Sequence, residues 1–294
     1  LNGNQDYVLS GIDGSAIDKG RVLNASFNGA TSVDVEVEVL TSAQVGALYL
    51  NGNTGVSGQD GRLLSSIELE LRGPYGVQVV SFLQSTTYDT VANAVNSLRA
   101  FTGVEAELIN GNANSGIVFK SVEYGSSNDR MITVKRLNPP DQGTDSFQLF
   151  KFLDAQPVPD FTSGFNWATW QSTIMTAATS DTGQDVQAIV NGILASGRGL
   201  QISTNSASLG VDLLLDEDFA TDPLQTPTEF TITGGGALFQ LGPEISSQQQ
   251  AGLGIQSVAA SALGGTLVGG VVQFLSSLET GRGNSIEEAY QANN

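Results

Sequence analysis

The residues of this chain whose types could do chemistry are chiefly carboxylates. Its 294 residues hold 30 Asp and Glu but no His and no Cys. That removes zinc fingers, thiol nucleophiles, Ser-His-Asp triads and imidazole bases, and with them any disulfide framework. The densest acidic group is Asp212, Asp216, Glu217, Asp218 and Asp222. Calcium accepts such oxygens, so Asp212, Asp216, Asp218 and Asp222 are the metal candidates. They lack the EF-hand register of alternate ligands, Gly at the sixth position and Glu at the twelfth, and a strand running into an acidic turn accounts for the same residues. In Val33–Val39, Asp34, Glu36 and Glu38 alternate with valines and share one strand face, open either to a cation or to water. Carboxylate pairs for glycoside cleavage exist in any chain this acidic, and only a separation in space gives them meaning. There is no GxxxxGK[ST] phosphate loop and no GxGxxG. The other group is aromatic: Phe147, Phe150, Phe152, Phe161, Phe165, Trp167 and Trp170. Trp167 and Trp170 are the candidates for stacking on a sugar, and a small aromatic core is the competing reading. No catalytic constellation emerges, so the chain is expected to be no enzyme and to need no cofactor.

The elements that position these residues are mostly strands. Alternation marks Val33–Val39, and further strands are expected at Ala43–Leu50, Ser66–Leu71 and Val77–Phe82, with Asn51-Gly52 and Gly73-Pro74 as turns. Thr87 or Asp89 caps a helix whose Val91, Ala94, Val95 and Leu98 form one stripe, and Gly103 stops it in the left-handed conformation. Strands at Val104–Ile109, Ile117–Ser121 and Met131–Leu137 complete a β-α-β-β-β unit. A second helix is expected from Asp185, with Val186, Ile189, Val190, Ile193 and Leu194 on one side and its end at Gly197 or Gly199. Strands at Leu200–Thr204, Leu209–Leu215 and Glu229–Thr233 follow. Residues 139–183, with four prolines, both tryptophans and five of the 13 phenylalanines, read as a partly irregular insert.

Charge is distributed unevenly. The formal net charge is −18, and residues 153–244 hold 11 acids against Arg198 alone, whereas 245–278 hold no charge. No basic stripe exists to neutralise phosphates or anionic lipid, so neither nucleic acid nor a membrane surface is an expected partner. Five glutamines and six serines interrupt 245–278, which removes it as a membrane span despite Gly265-Thr-Leu-Val-Gly269. Residues 1–6 have neither the basic start nor the apolar run of a secretory signal.

Several stretches resemble bacterial flagellin. The helix Thr90-Val-Ala-Asn-Ala-Val-Asn-Ser-Leu98, then Thr102-Gly-Val-Glu-Ala106 and Ile117-Val-Phe-Lys-Ser-Val-Glu-Tyr-Gly125, are similar to the flagellin hook IN motif, which hook-associated cap proteins also carry. Asp185–Gly192 with Gly197-Arg-Gly-Leu200, Phe230–Pro243 and Leu253–Val258 resemble long, planctomycete-like flagellins with large central regions. The likeness covers residues 5–137 and 184–285. It does not extend to long amphipathic terminal helices: only Ser285–Tyr290, with Ser285 and Glu288 spaced as a capping box, looks like the start of one.

The fold expected is α+β, predominantly β, with flagellin-like outer domains built of β-α-β-β-type units. The expected boundaries are a core-proximal segment at 1–24, a hook-IN-like domain at 25–138, an acidic outer domain with the aromatic insert at 139–240, and a return segment at 241–294. The resemblance implies a structural subunit of the flagellar filament, extracellular, whose partners are other flagellin subunits and hook-associated proteins, with no nucleic acid and no membrane insertion. The polymerising helices being removed or absent, the fragment alone is expected to be monomeric. An adhesin or carbohydrate-binding module using Trp167 and Trp170, or a hook-associated cap protein, is the alternative. The metalloprotease insert that some flagellins carry needs His-Glu-x-x-His and cannot exist here. Asn24-Ala-Ser26 fits an N-glycan sequon.

Overall fold

The computed structural model describes residues 7–27, 30–52, 60–140, 147–153, 165–222 and 224–233, and beyond them only the backbone of four short strands. The chain is mostly β, in several antiparallel sheets, and folds into two compact units. The first unit comprises Leu1–Val37, Ser203–Leu213 and Pro227–Asn294; the second comprises Glu38–Ile202 and Leu214–Thr226.

In the first unit, β18 (Thr228–Thr233) runs antiparallel between β1 (Val8–Ser10) and β3 (Ser32–Thr41), setting Phe230 against Val35 and Ile232 against both Val33 and Leu9. The alternation read from the sequence holds along β3. Val35, Val37 and Val39 are buried, and Asp34, Glu36 and Glu38 face water. Strands β16 (Gln201–Asn205), β17 (Leu209–Leu215) and β2 (Ile17–Ala25) lie side by side in that order. Ile17, Val211, Leu213, Phe230 and Ile232 are almost wholly buried. Four further strands pair as hairpins, β19 (Ala237–Gln240) with β20 (Gln250–Leu253), and β21 (Thr266–Val268) with β22 (Val271–Gln273). The rest of the uncharged 245–278 stretch and the Ser285–Glu288 capping box lie outside the described residues.

The second unit is built around a sheet ordered β11-β10-β4-β8-β7, from β4 (Val45–Asn51), β7 (Val104–Leu108), β8 (Gly116–Tyr124), β10 (Leu149–Phe152) and β11 (Met175–Ala177). One face carries Leu48, Leu50, Val104, Ala106, Ile117, Phe119 and Leu149. These pack on a second sheet, ordered β12-β9-β5-β6, from β5 (Ile67–Gly73), β6 (Gly76–Phe82), β9 (Ile132–Arg136) and β12 (Ser180–Asp181), and on helix α1 (Tyr88–Ser97). Thr87 caps α1 through its hydroxyl, accepting from the Thr90 N–H, and Val91 and Val95 are the buried ridge, as the spacing predicts. A short helix α2 (Arg99–Thr102) ends at Gly103, whose φ of 70° is the left-handed stop read from the sequence. In chain order residues 76–124 run strand, helices, strand, strand, with β6 in the second of these sheets and β7 and β8 paired in the first. No helix among the described residues is long and apolar enough to cross a membrane.

The helix expected from Asp185 is not formed. The segment is a hairpin of β13 (Gln187–Val190) and β14 (Ile193–Leu194), with Ile189 opposite Leu194 and Val190 opposite Ile193. Asn191 and Gly192 have φ of 48° and 77°, the pair of left-handed residues that a two-residue hairpin turn requires. Val186, Ala188 and Val190 are buried on the strand period of two, while Ile193 and Leu194 are exposed. The 3.6-residue stripe was therefore a coincidence of valines and isoleucines that read at both periods, and the Asn-Gly turn decides between them. The hairpin is followed by β15 (Ser196–Arg198).

Candidate functional site

The aromatic insert has an ordered part. It supplies β10 and β11 to the main sheet, and between them a helix α3 (Trp167–Thr173) capped by the Asn166 side chain. Phe161 lies outside the described residues. Trp167 and Trp170 sit three apart on α3, hence on one face, and both are half-buried against the outer face of the sheet. There Tyr49, Val118, Phe150, Phe152 and Met175 form a second core. Phe165 is the keystone: its ring centroid lies 4.7 Å from Trp167, 4.8 Å from Trp170 and 5.5 Å from Tyr49. Trp167 also meets Phe150, and Trp170 meets Phe152, edge to face, and the Trp167 indole N–H donates to the Ser115 carbonyl. The rings are thus engaged with each other, in the arrangement of a core. Phe147 joins the opposite side of the sheet.

Beside this core lies an open cleft of about 380 Å³, lined among others by Gln44, Ala47, Tyr49, Phe152, Asp181 and Gln184. The backbones of Gln44 and Gln184 bond reciprocally across it at 2.9 Å. Asp181 is largely buried; it pairs with Lys151 at 3.2 Å and accepts from the Ala47 N–H at 2.8 Å. Burial, and after it the charges of Asp181 and Glu107, push the Tyr49 hydroxyl far above its ordinary range, so that it stays neutral. Amides, a paired carboxylate and a neutral phenol can offer hydrogen bonds to a ligand. Sequence reasoning missed Lys151 and Asp181 because they lie 30 positions apart with no local motif between them, joined only by the sheet.

The calcium candidates are divided between the two units. Asp212, in the first unit, pairs with Arg21 at 2.8 Å and accepts from the Ser203 hydroxyl at 2.6 Å. The others belong to the second unit and to one short helix, α4 (Glu217–Thr221). Asp216 is its N-cap, accepting from the Asp218 N–H at 2.9 Å, and Asp222 accepts from the Leu224 N–H at 2.9 Å. Glu217 accepts from the Tyr124 hydroxyl at 2.7 Å. Among the described residues no three His, Cys, Asp or Glu side chains lie where they could share a metal ion. Asp216, Glu217 and Asp218 stand at the start of a helix, where negative charge suits the unpaired N–H groups. The sequon's Asn24 side-chain amide donates to the Ser206 carbonyl at 3.0 Å, so a glycan there would have to break that bond.

No protein-family model matches the chain, and no curated protein matches it. Solved structures that it overlays include the flagellar cap protein FliD from Bdellovibrio bacteriovorus, with a TM-score of 0.40 and 16% identity over 77% of this chain and 99% of that one. The D2-D3 domains of FliD from Escherichia coli overlay with a TM-score of 0.41 and 17% identity, over 79% of this chain and 100% of that one. FliD (HAP2) from Pseudomonas aeruginosa PAO1 gives 0.43 and 15%, over 73% of this chain and 83% of that one. At such TM-scores the overlap is too loose to transfer an architecture or a role.

Proposed function

We propose that the chain is a structural subunit of the bacterial flagellar filament, the outward part of a flagellin, acting through surface shape and repetition rather than through chemistry. One observation carries this reading. The residues that resemble the hook IN motif fold as helix α1 followed by the paired strands β7 and β8, and with β6 before them they make a β-α-β-β succession, its helix capped at Thr87 and stopped at Gly103 where the sequence spacing sets them. Its partners are then other flagellin subunits and hook-associated proteins, and its place is the cell exterior. Cap proteins share the motif, which makes a hook-associated cap the second reading. Immunogold labelling of isolated filaments from the source bacterium, with antibody raised against this chain, separates the two. Label along the whole filament is the expected result, label confined to the tip supports the cap protein, and unlabelled filaments and tips overturn both.

A further inference from the structure

Sheet edges in the second unit are treated in two opposite ways. At β7 the outward backbone is closed off. The Asn96 side chain, reaching from α1, accepts from the Ala106 N–H and donates to the Ala106 carbonyl, both at 2.8 Å, and so takes the place of a neighbouring strand. Glu105 and Glu107 add charge to the same edge. At β6 nothing of the kind is present. This strand ends its sheet, and among the described residues Gly76–Phe82 makes no backbone hydrogen bond except to β5. Its sequence Gly-Val-Gln-Val-Val-Ser-Phe holds no charge and no proline, and Val77 and Val79 are 40% and 49% exposed. Among the described strands it is the one uncharged sheet edge longer than five residues; β2, which is longer, carries Asp18, Lys19 and Arg21.

We infer that β6 is a pairing site for β6 of a second copy of this chain, antiparallel about a two-fold axis through Gln78. Complementary charge across the two-fold axis points to a second copy as the occupant. Each copy has a net charge of −18, so close approach needs a face without excess acid. The outer face behind β6 is such a face: Glu68, Glu70, Arg72 and Lys135 share it by register, two acids against two bases. The same register fixes the alignment. Arg72 lies opposite Val77, and Glu70 lies opposite Val79. With the axis at Gln78, Val77 of one copy meets Val79 of the other, and each row across the interface reads Arg72, Val77, Val79, Glu70, with valines in contact and opposite charges at the ends. Centred one residue later, on Val79, the row would instead end in Glu70 on both sides. The charges, three strand spacings or roughly 14 Å apart, bias register more than affinity. An isologous two-fold contact closes on itself, so the product is a dimer and not a fibre. This dimer departs from the expectation that the fragment alone is monomeric, and it rests on the sheet edge and not on the flagellar reading.

The chain's lack of cysteine makes a clean test. Gln78→Cys places one thiol from each copy directly opposite the other, at a Cα separation within disulfide range. Under mild oxidation it is expected to give a disulfide-linked dimer, while Leu224→Cys, on a side chain 90% exposed and not part of β6, stays monomeric. In sedimentation velocity the wild-type chain is expected to reach twice its monomer mass with rising concentration. Val79→Lys, with an unchanged circular dichroism spectrum, is expected to remain a monomer throughout. A wild-type chain that stays monomeric at every concentration overturns the proposal. So does a mass that grows without limit, equal cross-linking of both cysteine variants, or a Val79→Lys chain that still dimerises.

Discussion

At the scale of single residues, Asp185 shows how one side chain's chemistry can be right and its setting wrong. The sequence offers it as a helix cap, an acceptor for unpaired N–H groups. It does accept them, but from the Gly199 N–H at 2.6 Å and the Ser126 N–H at 3.3 Å, and from the Ser126 hydroxyl, which tie the start of the 186–194 hairpin to neighbouring loops. Burial raises its pKa, but the Ser126 hydroxyl, the two N–H groups and the Arg130 guanidinium outweigh that and hold it below the ordinary range. A carboxyl lowered on folding stabilises the folded state above its unfolded value, about 3.9, and that contribution is lost as pH falls toward the folded value. Melting temperature measured against pH should therefore fall below about pH 4. The Asp185→Asn variant should be less stable near neutrality and show a shallower acid decline. An identical slope in both proteins would remove Asp185 from the acid response.

At the scale of elements, α3 and the hairpin carry the two largest departures from sequence expectation. The insert's composition announced aromatics but not their use. Phe150 and Phe152 project from the sheet and Trp167 and Trp170 come down from α3, so one short helix covers a face that would otherwise be wet. Trp170→Ala should destabilise the chain by about 2 kcal/mol, below the range for fully buried large aromatics because the ring is only half-buried. Urea unfolding followed by circular dichroism reads this directly. An effect below experimental error would mean that the ring lies idle on the surface, and would return Trp167 and Trp170 to the role of sugar-stacking candidates. The hairpin at 187–194 was legible after all, in Asn191-Gly192, but apolar periodicity over the same residues spoke for a helix. Turn chemistry won because two adjacent left-handed residues cannot sit inside a right-handed helix. Helix α1 and strands β3 to β9 offered no such conflict, since cap, stripe, stop and alternation agreed.

At the scale of the whole molecule, the net charge of −18 acts on every element at once. Among the described residues the ion pairs include Arg21–Asp212, Lys120–Glu107 and Lys151–Asp181, but with 12 bases the chain cannot balance 30 acids. The remaining repulsion destabilises the compact state and is long-ranged in dilute buffer. Raising sodium chloride from low ionic strength to several times physiological should raise the melting temperature. It should also strengthen the β6 pairing, because the interface itself carries no net charge for salt to weaken. A melting temperature that falls with salt would mean that the ion pairs outweigh the repulsion.

The sequence alone determined the class of the fold, the alternation of β3, the capped helix at Thr87, the left-handed stop at Gly103 and the absence of any imidazole or thiol chemistry. These are local or compositional properties, set by a few neighbouring residues or by counting. Tertiary structure decided what depends on distant partners. It placed Asp212 with Arg21 and Ser203, and it joined Lys151 to Asp181. It set Trp167 and Trp170 on a sheet face, and it left β6 as an edge while Asn96 closed β7. Whether a strand is central or at the edge depends on which other segments pair with it. That is settled by packing across scores of residues, and no short window of sequence contains it.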